Sequence, residues 1–319
     1  MPDYFISKER AENDLLDCAA FLAERIKSAD GHAEAIAAIV PGYLARGEVD
    51  LAAELANAVD DPFSRDRLLI VVAEKCAATD DDEYALQLAD AVEDHGLRAE
   101  ALERVALAFV STSRTDKAAE VAAKMTHPDF VYAGIAVNQV VSGDLVAADA
   151  TLEKIEFPAA RVHALQQIAA SQIEKSKSDA AVGMLDRAVS SADDIEHAEE
   201  KIRSLCECGN FFIEAMRNDK AIETFDKARS LAEVLDNVHR DNFLAKCAIG
   251  FLHAGSLDLC DRMLDLVTDK TQMSSALVAI ARDHWKRDEK EDALDALDEA
   301  YEILKSQRDI ETRDSRARN

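Results

Sequence analysis

Cys206 and Cys208, in the stretch "CEC", are the one place in this sequence where two thiols stand two residues apart. Such a pair invites a metal reading, because thiolates ligate zinc and iron. On a helix, however, residues two apart point to different sides, so the two do not easily share an ion. Cys18, Cys76, Cys247 and Cys260 fall on apolar faces, and the six cysteines together read as buried structural thiols in a reducing compartment. The histidines, His32, His95, His127, His163, His197, His239, His253 and His284, are scattered and form no HExxH or other ligand spacing. His253 and His284 fall near the ends of neighbouring helices, so one reading pairs them; the other leaves them solvated or capping.

Acidic clusters are the third candidate for chemistry. "TDDDE" at 79–83, "SRTDK" at 113–117, "SKSDA" at 176–180 and "RNDKA" at 217–221 each fall where a helix begins. Ser, Thr, Asn and Asp at such positions accept from free backbone N–H groups and favour the positive end of the helix dipole. That accounts for the acidity without a ligand. The sequence has no twelve-residue calcium loop, no glycine-rich phosphate loop and no GxSxG elbow. The reading is therefore a protein that is not an enzyme, with no catalytic residues, no metal and no cofactor.

The elements that carry these residues are helices. Apolar residues make up 48% of the 319, aromatics only 5%, and there are 10 Gly and 5 Pro. Few breakers and much Ala, Leu, Glu and Asp predict an all-α chain. The formal net charge of −26 repels nucleic acid and anionic lipid and favours basic partners. The start, "MPDYFISKERAENDLL", has no basic stretch leading into an apolar core, so no signal peptide is expected. No apolar run is long enough to span a membrane. The expected location is cytoplasmic.

The helices repeat. In "GEVDLAAELANAV", Ala52, Ala56 and Val59 share one helix face, yet two of the three are as small as a buried side chain can be. The trio recurs at Ala85, Ala118, Ala148, Ala181, Ala221, Cys260 and Ala293, each leading its own copy. Twelve residues before these anchors stand Val40, Ala73, Ala106, Ala136, Ala169, Gly209, Ala248 and Ala281. Gly47, Gly143 and Gly255 lie five before three of the anchors, with polar runs in the other copies. Each unit is thus a helix, a tight turn and a second helix, packed closely where small residues meet. No unit buries its apolar face alone, so neighbours must stack. The anchor spacing shortens to 30 at "MTHPDFVYAG" and lengthens to 40 and 39 further on, which suggests one added turn in each of the two helices there. A softer junction is expected near residues 190–200.

This pattern resembles the tetratricopeptide repeat (TPR): a small residue on helix A, an Ala twelve later on helix B, then a larger apolar residue and another Ala. The family's Trp near the start of helix A is absent and its closing Pro is displaced, although Pro62, Pro128 and Pro158 mark three turns between units. The resemblance implies a right-handed α-α superhelix, a solenoid of about eight TPR-like helix-turn-helix repeats over 33–305. Residues 1–32 would form an N-terminal capping helix, with Leu15, Leu16, Ala19, Leu22 and Ile26 as its apolar side, and 306–319 a charged C-terminal tail.

In that family helix A lines the concave face. Matched by position, the candidate groove comprises Arg67, Glu103, Leu107, Val110, Val137, Val140, Gln166, Ile173, Asn210, Asn242, Leu252, Arg282 and Trp285. "VYAGIAVNQVV" is apolar nearly all round, so Val137 and Val140 either receive a partner or are buried. The resemblance implies a protein-protein interaction scaffold or adaptor that binds a peptide or helix, basic or amphipathic, in its groove. The alternatives are a self-associating structural repeat protein, forming a homo-oligomer, and an enzyme with a groove active site. The family's clamp for a peptide carboxylate matches only Asn210, with Arg203 near by.

Overall fold

The computed structural model describes residues 5–317, with side chains through 306. Among the described residues there are eighteen helices and no strand. The chain divides into two compact units, Met1–Ile155 and Glu156–Asn319. The first holds α1 (Lys8–Asn13), α2 (Leu15–Ala23), α3 (Ala29–Arg46), α4 (Val49–Asn57), α5 (Pro62–Ala78), α6 (Asp82–Ala91), α7 (His95–Ser111), α8 (Thr115–Ala122), α9 (Asp129–Ser142) and α10 (Leu145–Leu152). The second holds α11 (Pro158–Glu174), α12 (Ser178–Ala192), α13 (Ala198–Glu214), α14 (Asn218–Glu233), α15 (Arg240–His253), α16 (Leu257–Leu266), α17 (Lys270–Lys286) and α18 (Lys290–Ala317). From α3 onward, odd-numbered helices are helix A and even-numbered ones helix B, and each A packs on the B that follows it. Both units are therefore built of TPR-like helix pairs.

One backbone device makes every pair. The residue five before each anchor lies in the left-handed region: Gly47, Asp80, Ser113, Gly143, Ser176, Met216, Gly255 and Asp288, with φ between 57° and 93°. Behind it an amide reaches back to the helix A carbonyl five residues earlier, as from Glu48 to Tyr43 at 3.0 Å and from Arg217 to Phe212 at 2.8 Å. This closure satisfies carbonyls that the helix end would leave open. Glycine takes the position at no steric cost in three copies; in the other five the same backbone is held by larger residues. That is why the sequence shows glycine in only some turns.

The anchors and the residues twelve before them are all buried. Where the pattern changes, it changes in compensation. The α14 trio carries Phe225 in place of a smaller residue, and its ring fills the space left by two glycines. A Cβ on Gly209 would lie 2.6 Å from the ring, and one on Gly250 2.4 Å from it. The ring also meets Phe251 edge to face, with centroids 5.9 Å apart.

Aspartates pin one helix A to the next. Asp66 of α5 accepts from the amides of Glu93 and Asp94, both at 2.9 Å, at the turn that opens α7. Asp241 of α15 does the same for Thr268 and Asp269 before α17, at 2.7 and 2.6 Å, and takes the Thr268 hydroxyl at 2.8 Å. A basic residue one position earlier caps the end of a B helix: Arg240 donates to Leu266 O at 3.2 Å. Arg98 and Lys201, in matching positions, donate to Val92 O and Asp193 O. Cations placed there favour the negative end of the dipole. Burial works to raise the Asp241 carboxyl. The hydrogen bonds from Asp269, Thr268 and Arg240 outweigh it and hold the group below the usual range.

Three expectations are corrected. The leading segment is two helices, because Asp14 is extended and its carboxylate caps α2 through the amides of Leu16 and Asp17. The face of α2 that packs inward is Asp17, Ala20 and Ala23, leaving Leu15 and Leu22 exposed. Asp17 accepts from Tyr43 Oη at 2.7 Å and pairs with Arg10, fastening α1 and α2 to α3. Secondly, the extra residues of the fifth and sixth anchor spacings lengthen only the B helices: α12 and α14 have 15 and 16 residues, against 8 to 10 for α4, α6, α8 and α10. The division between units falls after Ile155, not near 190–200. Thirdly, residues 306–317 continue α18, since no Gly or Pro interrupts it; 318–319 lie outside the described residues.

Two outcomes follow. Gly250→Ala gains helix propensity but drives a methyl into a buried ring, so unfolding by urea should show a loss of about 1–3 kcal/mol. The loss should shrink when Phe225→Leu is present. Asp241→Ala should cost about 1–3 kcal/mol at pH 7. A carboxyl depressed in the folded state contributes stability above its unfolded pKa and loses it as pH falls through the folded value. The gap to wild type should therefore close below about pH 4 in a pH series of melts.

Candidate functional site

Helix A offers three kinds of position: one faces its own helix B, one faces the neighbouring helix A, and one faces outward. The thirteen candidate residues divide among them. Arg67, Asn210, Arg282 and Trp285 are exposed. Glu103, Leu107, Val137, Ile173 and Asn242 are half-buried. Val110, Val140 and Gln166 are buried and line neither unit's open cleft, which corrects their assignment to the groove; Leu252 is buried as well but contributes to a cleft wall.

The physical reasons are visible. Gln166 donates from Nε2 to Ser204 O at 3.0 Å and to Cys208 Sγ at 3.3 Å, so its amide serves the α11–α13 junction. Leu107 and Val110 lean toward Gly134 of α9, where an added Cβ would stand 3.1 Å from Leu107 Cδ2. Asn138 donates to Val110 O at 3.1 Å across the same junction. α9 is therefore apolar nearly all round because α7, α8 and α10 all pack on it. Asn242 is tied to Gln272 at 3.1 Å, joining α15 to α17. Burial raises the Glu103 carboxyl, with the Glu100 charge adding to the effect.

Each unit nevertheless holds an open cleft on its helix A face. In the first, α3 and α5 enclose about 490 Å³. Its floor is Ala33, Ala37, Leu68 and Val71, and its rim Asp30, Glu34, Asp61, Ser64 and Arg67. The Arg67 guanidinium lies 5.9 Å from the Phe63 ring. Asp61 caps α5, and hydrogen bonding with Ser64 lowers its carboxyl. In the second, α13, α15 and α17 enclose about 610 Å³. Ile213 and Leu252 supply apolar surface, with Asn210, Glu214, Asn218, His253, Asp283, Lys286 and Arg287 around them. Asp283 stands between His253 and Arg287, 3.5 Å from His253 Nε2 and paired with the Arg287 guanidinium. Of the thirteen, Arg67 joins the first cleft and Asn210 and Leu252 the second. Asp30, Glu34, Glu214, His253 and Asp283 were missed: Glu214 lies one turn from Asn210, His253 and Asp283 stand next to Leu252 and Arg282, and no position of α3 was matched.

The thiols diverge as the helical spacing requires. Cys206 Sγ faces Cys247 Sγ at 3.9 Å, while Cys208 takes the Gln166 amide. Burial pushes Cys76 up to about 11 and Cys208 and Cys260 up to about 12, so these thiols stay protonated. His253 and His284 do not pair: His284 Nδ1 lies 2.6 Å from Glu289 Oε2 at the α17–α18 turn. The donor atoms of His284, Glu289 and Asp292 fall within 4.8 Å of one another. No helix among the described residues is long and apolar enough to cross a membrane.

The burial pattern gives opposite outcomes for two substitutions. Val140→Glu places a charge in the α9 core and should cost about 3 kcal/mol or more, read by denaturant melts. Trp285→Ala, at an exposed position, should shift the same curve by less than about 0.5 kcal/mol.

No protein-family model matches the chain, and no curated protein matches it. Several of the solved structures similar to it are described as carrying tetratricopeptide or TPR-like repeats. The Rap protein complexed with Competence and Sporulation Factor aligns over 96% of this chain and 88% of its own, at 12% identity and a TM-score of 0.34. BtubC from P. vanneervenii aligns over 84% and 90%, at 14% identity and a TM-score of 0.34. A Pyrococcus horikoshii signal transduction ATPase with a tetratricopeptide repeat sensor aligns over 93% of this chain and 52% of its own, at 14% identity and a TM-score of 0.37.

Proposed function

We propose that this protein is a non-enzymatic scaffold that holds a protein or peptide partner against its helix A faces. The observation that carries the reading is the pair of clefts, one in each unit, each combining an apolar floor with a polar rim. Their volumes suit a few side chains of a bound segment. Packed helices position the rims, so a partner meets a surface that is already organised and loses less entropy on binding. In the first cleft three carboxylates face one guanidinium. With a formal net charge of −26, that composition favours a basic or amphipathic segment: methylenes over the alanines, cationic head groups toward Asp30 and Glu34. The buried, protonated thiols and the capping role of Asp61 support the non-enzymatic reading.

The test is site-specific photocrosslinking in native-host lysate. A crosslinker replaces Arg67 or Asn210 on helix A, or, as controls, the exposed Glu120 or Glu223 on helix B. A discrete protein adduct from position 67 or 210, absent from 120 and 223, is the expected result. Adducts from the helix B positions alone would place recognition on the opposite surface and overturn the reading.

A further inference from the structure

The helix pair α17–α18 exposes a column of apolar residues whose equivalents in α12 are buried. On α18, Leu294, Leu297, Tyr301 and Leu304 form one stripe spaced three, four and three, and they are 54%, 41%, 63% and 46% exposed. Counted from their anchors, the equivalent residues of α12 are Val182, Leu185, Val189 and Ala192, all buried. In α14 the second and fourth equivalents, Phe225 and Ala232, are buried as well. Helix A shows the same contrast. Val278 and Trp285 of α17 are exposed, whereas their α15 equivalents, Ala245 and Leu252, are buried. Within the second unit this column faces the following helix A: Gln166 of α11 reaches Ser204 of α13, and Cys206 of α13 faces Cys247 of α15. On α17 and α18 the same column is apolar and exposed.

We infer that this face, Val278 and Trp285 of α17 with the α18 stripe, is a self-association surface covered by the same face of a second copy of the chain. The argument for a second copy lies in the stripe itself. Its 3-4-3 spacing is that of a coiled-coil seam, and α18 is the longest helix among the described residues. An antiparallel two-fold pairing about residue 299 sets Leu294 against Leu304 of the partner subunit and Leu297 against Tyr301 of the partner subunit. The same pairing brings Lys305 toward the acidic start of the facing helix, where this chain carries Glu291, Asp292 and Asp295. Lys305 also lies over the Tyr301 ring at 5.7 Å, so its stem extends the apolar seam. An isologous contact of this kind closes on itself and stops at a dimer.

The chain's acidity gives the proposal a distinctive signature. Two copies that each carry −26 repel at long range, and salt screens that repulsion while leaving the apolar seam intact. Sedimentation velocity of the full chain, up to about 100 μM, should therefore show a monomer–dimer equilibrium that tightens as sodium chloride is raised. The double variant Leu297→Glu, Tyr301→Glu changes exposed positions, so its helical circular dichroism should be retained. Its dimer dissociation constant should rise by about tenfold or more. A second readout is independent of affinity: a short bis-maleimide should join Asp298→Cys chains to each other near the two-fold axis, above the wild-type background. A wild-type monomer at every salt, a dimer that persists in the folded double variant, or no cross-link above background in a dimeric Asp298→Cys protein would each overturn the proposal. Association that appears only with an added basic protein and weakens in salt would likewise overturn it, in favour of a heterologous occupant.

Discussion

The closest approach of two helices within a pair sets the terms for the rest of this structure. A buried alanine or cysteine on helix B meets a column of Val, Ala or Gly on helix A. Small side chains there let the backbones come close, and the close crossing fixes where the chain must reverse. The reversal then has one geometry, a single left-handed residue with an amide reaching back five residues, and it recurs at all eight turns. Side-chain identity at the turn is secondary: Met216 occupies the same backbone state as Gly47. What recurs along the chain is the pairing of buried small residues with one turn geometry, and the residue types at the turn are secondary to it.

Stacking builds on that crossing with a second set of interactions, less regular and more polar. Asp66 and Asp241 each hold two amides of the next turn, and Gln166 holds a carbonyl of the next helix A. A buried carboxylate is tolerated when such donors satisfy it. Phe225 shows the apolar version of the same coupling: a large ring on helix B is admitted because helix A residues on both sides, Gly209 and Gly250, are reduced to hydrogen. Substitutions at a junction are thus coupled across two repeats, and conservative changes at single positions are poorly tolerated there.

This division explains what could be read from the residues alone. The small-residue trio repeats at short range along one helix, so periodicity exposes it and with it the helix pairs. The staples join residues 27 or 28 apart and occupy only some copies, so no period reports them. Groove and core were confused for a related reason. Val110, Val140 and Gln166 sit in the helix A column that touches the neighbouring helix A, a turn or less from positions facing outward. Only the packed neighbours reveal which side of the helix each one takes. Helix length was similarly hidden: anchor spacing counts the added residues in α12 and α14 but does not say which helix of the pair receives them.

Charge and apolar surface act in opposite directions in this molecule, and their placement decides the balance. The carboxylates lie mostly on outer faces and at helix starts, where they cap amides and keep copies apart at low ionic strength. Among the described residues, six of the twenty exposed large apolar side chains lie on α17 and α18, four of them in one stripe. A chain whose only task was to remain dispersed would place charge on that face too, since acids already flank the stripe at Asp295, Asp298 and Glu302 and one substitution would interrupt it. Leucine and tyrosine at four successive seam positions keep it continuous. Repulsion falls off with salt over a Debye length, whereas apolar contact does not. The long-range field therefore governs encounter, the short-range seam governs what stays bound, and the two can be varied independently in one chain.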